Sequence, residues 1–493
     1  MEQQISLNKW GDMGNGYYRN PILNADYSDP DVVRVGKDFY MVCSEFHYMG
    51  IPVLHSHDLV NWEIIGKAYD RLDIAPKYSE MGAYGCGSWA PSITFHNGWF
   101  YLYFCTPTEG LFMTRTQDPA GPWEPLHCVY RTEGWEDPCP FWDDDGTAYL
   151  GHSVLGAGPI IVHKMSADGK NLLDNGKVVY VGKTAEGTKF YKSHGYYMLV
   201  IPEGGVGKGW QTVLRSKESV YGPFEKKVVL ETGKTNVNGP HQGSLIELDS
   251  GESWFIHFQD TGALGRVCHL QPVSWEDGWP IMGCGGESVS IYKKPDTGID
   301  CTPSRPKTSD NFEGPSLGLQ WAVNHNPVDW KFSLNENPGT LRMYSMEADH
   351  LLHARNTITQ KLMGRKGQIT VRLSASGMAD GQRAGLAILG GRSENWIEVQ
   401  KRGGILVAEA VARGVAAHGA PVGNSVWLRC DVDLDGITCF SFSLDGCGFM
   451  PLGGACEVIN GFWKGARPAL YTFHTSGTGG YADWSGFTYE MLD

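Results

Sequence analysis

A strand, a tight turn and a second, aromatic-rich strand recur five times in the first 293 residues. The first copy runs from Asp29 through the turn Gly36-Lys37-Asp38 into Phe39-Tyr40. The Gly, Asn and Asp residues in these turns are typical of β-hairpins. The copies begin 47 to 61 residues apart, and a period of roughly 40–50 residues with this content is typical of propeller blades. The repeat therefore predicts an all-β fold that opens with a five-bladed β-propeller.

One position in each copy is predicted to face the central channel, because the first strand of a blade lines it. The five residues at this position, one from each copy in chain order, are Asp29, Ala90, Asp137, Glu186 and His241. Three of them are carboxylic acids. Turns favour aspartate on their own account, but that preference does not explain one shared position in three separate blades. We therefore expect the three carboxylates to converge in one axial pocket.

The composition excludes several classes of partner. The formal net charge of −14 disfavours nucleic acid and anionic membranes as partners. There is no run of 18 apolar residues to cross a bilayer, and residues 1–10 lack the basic and apolar regions of a signal peptide. The twelve cysteines include no CxxC pair, so we expect free thiols in a reducing, cytoplasmic environment.

The domain organisation follows from where the repeat stops. The five copies lie within residues 1–293, which form the predicted catalytic propeller. Residues 294–309 are rich in Pro and polar residues and are interpreted as a linker. From Asp310 to Asp493 short alternating strands continue without the blade period. This pattern predicts a second, accessory domain of two packed sheets, a β-sandwich of jelly-roll or concanavalin-like type.

The three carboxylates suit the hydrolysis of a glycosidic bond. One carboxyl group must protonate the leaving oxygen, and another must attack the anomeric carbon or activate a water. A third, close to the acid, raises the pKa of the acid by like-charge repulsion. Blades 1 and 4 are not adjacent in a ring of five, so Asp29 and Glu186 are expected to face each other, with Asp137 beside Glu186.

Several motifs resemble glycoside hydrolase family 43, whose catalytic domain is a five-bladed propeller. They are Asn20-Pro21-Ile22-Leu23 before Asp29-Pro30-Asp31, Trp89-Ala90-Pro91-Ser92, Glu136-Asp137-Pro138, Ala185-Glu186-Gly187, Gly239-Pro240-His241-Gln242-Gly243 and Leu264-Gly265-Arg266. The segment from Leu317 to Arg342 resembles the sandwich that follows the propeller in its xylosidase and arabinofuranosidase members. The resemblance implies that Asp29 is the general base, Glu186 the general acid and Asp137 the residue that tunes the pKa of the acid. It also implies inversion of the anomeric centre. Thr188-Lys189 departs from the Pro-His found there in many members, which puts the leaving-group subsite in doubt.

Other residues are predicted to shape or support the site. Trp89 is expected to form a wall of the sugar pocket, Phe46 and His47 its mouth, and Arg266 a contact to substrate hydroxyls. Glu203, on the same blade as Glu186, is expected to be a subsite residue. No cofactor is required for the chemistry. A calcium ion is a candidate at two places, one beside His241 and one in the sandwich. The residues proposed to hold the second ion are Asp310 and Asp483.

The sequence therefore predicts an exo-acting, inverting glycosidase. Its substrates would be hemicellulose-derived (arabino)xylo-oligosaccharides, from which it would release terminal α-L-arabinofuranose, β-D-xylose or both. The alternatives are an endo-arabinanase with an open cleft and a carbohydrate-binding propeller without catalysis. A dehydrogenase finds no support, because no dinucleotide fingerprint follows a strand. The oligomeric state is left open by the sequence.

Overall fold

The computed structural model describes residues 9–492 apart from 47–48, 391–392, 460 and 462. His47 and the first eight residues thus lie outside the described residues. The helices in this part of the chain are 3₁₀ helices of three residues each, at Pro76–Tyr78, Gly262–Leu264, Asp329–Lys331 and Leu351–His353. None of them has the length or apolarity to cross a bilayer. Nearly all other regular structure is β-strand, as predicted.

The first part of the chain forms five four-stranded antiparallel sheets, each made of four consecutive strands. Two short strands precede them, β1 (Gly11–Asp12) and β2 (Tyr17–Arg19). Sheet one contains β3 (Asp31–Val35), β4 (Asp38–Val42), β5 (Pro52–Ser56) and β6 (Glu63–Lys67). Sheet two contains β7 (Trp89–His96), β8 (Trp99–Thr106), β9 (Gly110–Thr116) and β10 (His127–Arg131). Sheet three contains β11 (Trp135–Trp142), β12 (Ala148–Val154), β13 (Pro159–Met165) and β14 (Lys177–Val181).

The remaining two sheets follow the same plan. Sheet four contains β15 (Lys189–Ser193), β16 (Tyr196–Glu203), β17 (Trp210–Ser216) and β18 (Glu225–Leu230). Sheet five contains β19 (His241–Glu247), β20 (Ser253–Asp260), β21 (Arg266–Glu276) and β22 (Trp279–Met282). The next strand, β23 (Ile291–Lys293), pairs with β2. The start of the chain is therefore hydrogen-bonded to the end of the five-sheet region.

Apolar side chains fill the space between each sheet and the next. The aromatic-rich second strands supply them, because successive residues of a strand point to opposite faces. Met41 and Val42, for example, belong to two different apolar clusters. Each cluster contains residues of two neighbouring sheets. Val53 and Leu102 share a cluster between sheets one and two, Tyr103 and Leu150 between two and three, and Ile160 and Leu199 between three and four. Val200 and Phe255 share one between sheets four and five, and Ile256 and Met41 one between five and one. The fifth sheet thus packs against the first.

Asp31 ties the first strands together. This buried carboxylate accepts hydrogen bonds from the hydroxyls of Ser92 and Ser244, each at 2.6 Å, and from the backbone N–H of Ile93 at 2.8 Å. The ammonium of Lys189, which is also buried, lies 3.3 Å away. These contacts reach from sheet one to sheets two, four and five. The side chain of Lys189, at the position where the family motif differs, is therefore paired with Asp31.

The second part of the chain is a sandwich of two large sheets. Its strands are β24 (Ala322–Val323), β25 (Phe332–Ser333), β26 (Leu341–Tyr344), β27 (Met346–Glu347), β28 (Thr357–Thr359), β29 (Lys366–Ser374), β30 (Gln382–Gly390), β31 (Ser393–Arg402), β32 (Ile405–Ala412), β33 (Val415–Pro421), β34 (Ser425–Asp433), β35 (Cys439–Ser443), β36 (Met450–Pro451), β37 (Arg467–His474) and β38 (Tyr481–Met491). One sheet has the order β24-β28-β37-β30-β31-β32-β33, with β27 beside β37. The other has the order β25-β26-β38-β29-β34-β35-β36. Alternating apolar residues of both sheets, such as Ile369, Val371 and Leu386, form the core between them.

Charged groups fasten the sandwich to the five-sheet region. Glu45, in the loop between β4 and β5 of sheet one, pairs with Arg467 at the start of β37, and its other oxygen lies 3.5 Å from Lys361. All three side chains are largely buried. Directly before Arg467, the N–H of Ala466 donates to the carbonyl of Ala263 at 2.8 Å. The loop before β37 is thereby held against the five-sheet region.

Candidate active site

A pocket of about 480 Å³ opens where the first strands of the five sheets begin. Its walls come from all five sheets and from one loop of the sandwich. The described residues that line it are Asp29, Phe46, Trp89, Ala90, Glu136, Asp137, Leu155, Gly156, Ala157, Thr184, Glu186, Gly205, Val206, His241, Gln242, Arg266 and Trp463. The structure therefore brings together all three predicted catalytic carboxylates, together with Trp89, Phe46, Arg266 and His241.

A left-handed backbone residue marks the start of the first strand in every sheet. These residues are Asp29 (φ 54°), Ala90 (φ 40°), Asp137 (φ 55°), Gly187 (φ 60°) and Gln242 (φ 33°). By this criterion the sequence alignment was one residue out in sheets four and five. Glu186 and His241 each precede the left-handed residue, and their equivalents in the other sheets are Ser28, Trp89 and Glu136. Side chains from both positions reach the pocket, because the backbone bulges there instead of alternating strictly.

Three side chains donate hydrogen bonds to the carboxylate of Asp29. The hydroxyls of Ser28 and Ser44 donate to one carboxylate oxygen at 2.9 and 2.5 Å. The guanidinium of Arg266 donates to the other oxygen at 2.9 Å and also to Ser28 at 3.0 Å. Arg266 in turn lies 4.6 Å from the ring centroid of Phe258. Arg266, predicted to bind substrate, thus orients Asp29 directly while also lining the pocket.

Asp137 is fully surrounded by donors at the base of the pocket. It accepts from the hydroxyl of Ser153 at 2.5 Å, from the N–H of Gly187 at 2.7 Å and from the amide of Gln242 at 3.0 Å. Burial, and then the neighbouring Glu186 carboxylate, raise the pKa of Asp137 above its ordinary value, although the donors oppose the shift. These three hydrogen bonds hold the carboxylate of Asp137 in place.

Glu186 contacts the imidazole of His241. Its carboxylate oxygen lies 3.0 Å from Nε2 of His241. Oxygen atoms of Glu186, Asp137 and Glu136 all lie within 4.8 Å of one another. Asp29 is outside this cluster. The arrangement separates one carboxylate from a group of three, which matches the base on one side and the acid with its neighbour on the other.

Glu136 and Trp463 are among the pocket residues that the sequence analysis did not predict. Glu136 precedes Asp137 and would face away from the pocket in a regular strand; only the bulge turns both side chains inward. Trp463 comes from the sandwich, and its ring centroid lies 5.1 Å from that of Trp89 and 6.4 Å from that of Phe46. The three rings form a continuous aromatic wall. Nothing in the sequence pointed to Trp463, since the blade repeat says nothing about the second domain.

Glu203 does not line the pocket, so its predicted subsite role is not supported. Its carboxylate is buried behind sheet four. It accepts hydrogen bonds from Tyr180 at 2.9 Å and Thr212 at 2.6 Å and pairs with the ammonium of Lys226 at 2.8 Å. These contacts hold the pKa of Glu203 below its ordinary value despite the burial. The residue joins strands of sheets three and four, and its carboxylate is held by three donors outside the pocket.

The two aspartates predicted to share a calcium ion in the sandwich are not brought together. Asp310 bridges to Phe487 and accepts from the indole of Trp321 at 2.9 Å. Asp483 lies four residues earlier on β38, about 13 Å along the strand, and both of its oxygens accept from Arg342 at 2.8 Å. Calcium ligands lie 2.3–2.6 Å from the ion, so these two carboxylates do not form one site. Calcium beside His241 stays a prediction; the contact found there is with Glu186.

Sequence profiles and known proteins show which family this chain resembles. The profile described as Glycosyl hydrolases family 43 matches residues 18–280, and the profile described as Beta xylosidase C-terminal Concanavalin A-like domain matches residues 309–490. A Xylanibacter ruminicola protein with the name "Putative beta-xylosidase" is 46% identical over 476 residues, which cover 95% of this chain and 89% of that protein.

A relative named as an arabinofuranosidase and a solved structure are also similar. A non-reducing end α-L-arabinofuranosidase of Bacteroides ovatus is 32% identical over 351 residues, covering 66% of this chain and 64% of that protein. The solved structure of a family 43 protein from the xyloglucan locus of Bacteroides ovatus superposes with a TM-score of 0.86 at 25% identity, covering 97% of this chain and all of that one. The chain therefore belongs to glycosyl hydrolase family 43, as a glycosidase with a propeller-type domain followed by a concanavalin A-like β-sandwich.

Proposed function

We propose that this glycosidase is exo-acting and inverting, and that it removes terminal β-D-xylose, α-L-arabinofuranose or both from short (arabino)xylo-oligosaccharides. The single observation that carries the proposal is the pocket itself. It has room for about one or two sugar rings, holds Asp29 apart from the Glu186 cluster, and is walled on one side by Phe46, Trp89 and Trp463. A walled pocket accepts a chain end, whereas an endo-acting enzyme needs an open cleft.

In this mechanism each carboxylate has one task. Asp29, held by Ser28, Ser44 and Arg266, accepts a proton from the attacking water. Glu186 donates its proton to the glycosidic oxygen. Asp137, with an oxygen within 4.8 Å of a Glu186 oxygen, is the residue proposed to tune the acid. Inversion requires space for a water between base and anomeric carbon, which the separation of Asp29 from the cluster supports.

We also propose that the five sheets are the five blades of one propeller. Two observations support this reading. The apolar clusters run from each sheet to the next and from the fifth back to the first. The first strands meet at Asp31, near the centre of the ring. A crystal structure with another number of blades would contradict it.

The sugar preference is tested by kinetics on two small substrates. We would measure kcat/KM on 4-nitrophenyl β-D-xylopyranoside and on 4-nitrophenyl α-L-arabinofuranoside, and follow the anomeric configuration of the first product by NMR. Turnover of at least one substrate with inversion is expected. Xylo-oligosaccharides and linear arabinan complete the panel, and only monosaccharide is expected as the initial product. Oligomeric products from arabinan, or no turnover of any substrate, would overturn the proposal.

A further inference from the structure

Glu136 is a fourth carboxyl group in the pocket, and the three catalytic assignments do not use it. It lies at the start of β11, directly before Asp137. The strand bulges between Glu136 and Cys139, and Asp137 takes the left-handed conformation. Two consecutive side chains therefore turn into the cavity. In this respect Glu136 in sheet three occupies the position that Glu186 occupies in sheet four.

The four pocket carboxyl groups differ in what the protein offers them. Asp29 has two hydroxyls and a guanidinium, Asp137 has three donors, and Glu186 has the imidazole of His241. For the Glu136 carboxyl, no hydrogen bond or ion pair is found among the residues that the structure describes. Yet Glu136 is buried, with 8% of its surface exposed. Because Glu136 lines the pocket, its carboxyl group can be reached by a molecule that enters there.

The charges around Glu136 decide which form of the carboxyl group is present. Asp137, Glu186 and Asp29 are all nearby. The cation Arg266 opposes their effect on Glu136 but is already paired with Asp29, and His241 faces Glu186. Burial, and then the charges of Asp137, Glu186 and Asp29, raise the pKa of Glu136 to about 9. At neutral pH the group thus keeps its proton and offers an O–H donor as well as an acceptor.

We propose that Glu136 is a substrate-binding residue whose carboxyl group forms a hydrogen bond with a hydroxyl of the terminal sugar. Pentose hydroxyls accept and donate, so a protonated carboxyl suits them, and a neutral group adds no further negative charge beside Glu186. Glu136 is more deeply buried than Glu186, whose side chain is 22% exposed, which favours a contact with the terminal sugar over one with the leaving group. The inference rests on the proposed function, since it names how that same pocket holds its sugar.

Two substitutions separate this role from the alternatives. Glu136→Gln keeps the size and a hydrogen-bond donor and has no charge at any pH. Glu136→Leu removes the hydrogen bond and would leave a sugar hydroxyl unpaired. We expect kcat/KM on the aryl pentoside to change less than about threefold in the glutamine variant and to fall about 10- to 100-fold in the leucine variant, mostly through KM. Glu133→Gln, an exposed change three residues away, is the matched control and should match the wild type.

The pH profile tests whether Glu136 is neutral. If it carries its proton throughout, the profile of kcat for Glu136→Gln follows that of the wild type from pH 5 to 8. If Glu136 is ionised in the wild type, its replacement removes a negative charge beside the proposed acid, and the basic limb of the profile moves to lower pH. That shift, or wild-type kinetics in Glu136→Leu, would overturn the proposal. Circular dichroism and thermal unfolding establish that both variants fold.

Calorimetry distinguishes failure of this inference from failure of the proposed function. Xylobiose and an arabinose-capped xylo-oligosaccharide are titrated into Glu186→Gln, with and without the added Glu136→Leu change. Weaker binding in the double variant supports the role of Glu136, even if the wild type turns over neither aryl pentoside. Equal binding overturns it and leaves the proposed function standing. Binding of neither sugar overturns both.

Discussion

At the scale of single residues, the identity of the acid is the sharpest test. Glu186→Gln removes the proton donor while the rest of the pocket stays intact. We expect kcat/KM on oligosaccharides, whose leaving group is a poor one, to fall about 10²- to 10⁴-fold. On an aryl pentoside with an acidic leaving group the loss should be much smaller, because that oxygen needs little protonation. Parallel measurements on both substrate types decide it, and equal losses would contradict the role of Glu186 as the acid.

Residue types were readable from the sequence, but their exact places were not. Asp29, Asp137 and Glu186 could be found because a repeat put acids in similar positions. The register offset in sheets four and five was not predicted, because the left-handed residue differs in type from sheet to sheet and one such as Gln242 has no sequence signature. Glu136 was not predicted for a related reason, since the direction of its side chain depends on a bulge. Glu203 was interpreted as a subsite residue because it lies on the same blade as Glu186, and its pairing with Lys226 could not be seen in the sequence.

At the scale of elements, strand β15 carries a natural comparison between a buried and an exposed lysine. Lys189 at its start is buried against Asp31, and Lys192 near its end pairs with Asp143 and Asp144 at the surface. Lys189→Met leaves the Asp31 carboxylate without its cation at the point where four sheets meet. We expect this change to lower the free energy of unfolding by about 3 kcal/mol or more.

Lys192→Met provides the matched control for this element. The surface pair is screened by solvent, so its loss should change the unfolding transition far less. Urea unfolding followed by tryptophan fluorescence measures both variants. Equal destabilisation would mean that the central ion pair adds nothing beyond an ordinary surface pair. The repeat predicted these strands and their order correctly, but a central Asp–Lys pair could not be inferred, because Asp31 and Lys189 are far apart in sequence.

At the scale of the whole molecule, the second domain completes the pocket. Trp463 belongs to the sandwich, yet it lies against Trp89 and Phe46 of the first domain. Trp463→Ala removes an aromatic face from the sugar pocket, and we expect kcat/KM on the aryl pentoside to fall about tenfold. Trp330→Ala is the control, because that ring is 72% exposed and lies on the same domain. A similar loss in both variants would point to a general effect on the sandwich and away from the pocket.

The contact between the domains also depends on the protonation state of one histidine. His325 of the sandwich donates from Nδ1 to Asn324 at 2.8 Å, and its Nε2 accepts from the backbone N–H of Ala83 at 3.0 Å. An imidazolium has no free acceptor, so protonation must break the bond to Ala83. Burial, followed by the charges of Arg355 and His353, lowers the pKa of His325 to about 4. The folded protein therefore needs this histidine neutral.

This requirement gives stability a defined dependence on pH. In the unfolded chain His325 takes up a proton near pH 6.5, whereas in the folded chain it does so only near pH 4. The neutral His325 therefore contributes its full stabilisation above about pH 6.5, and this stabilisation is lost as the pH falls from about 6.5 to about 4. Burial lowers the pKa of His152 and His257 to about 4 as well, with the same sign. Urea unfolding at pH 7.0 and pH 4.5 should show a smaller loss in His325→Gln than in the wild type, by about 2 kcal/mol. His194→Gln, a change at an exposed site, should keep the wild-type loss. If His325→Gln also keeps it, the neutral histidine is not what links the two domains.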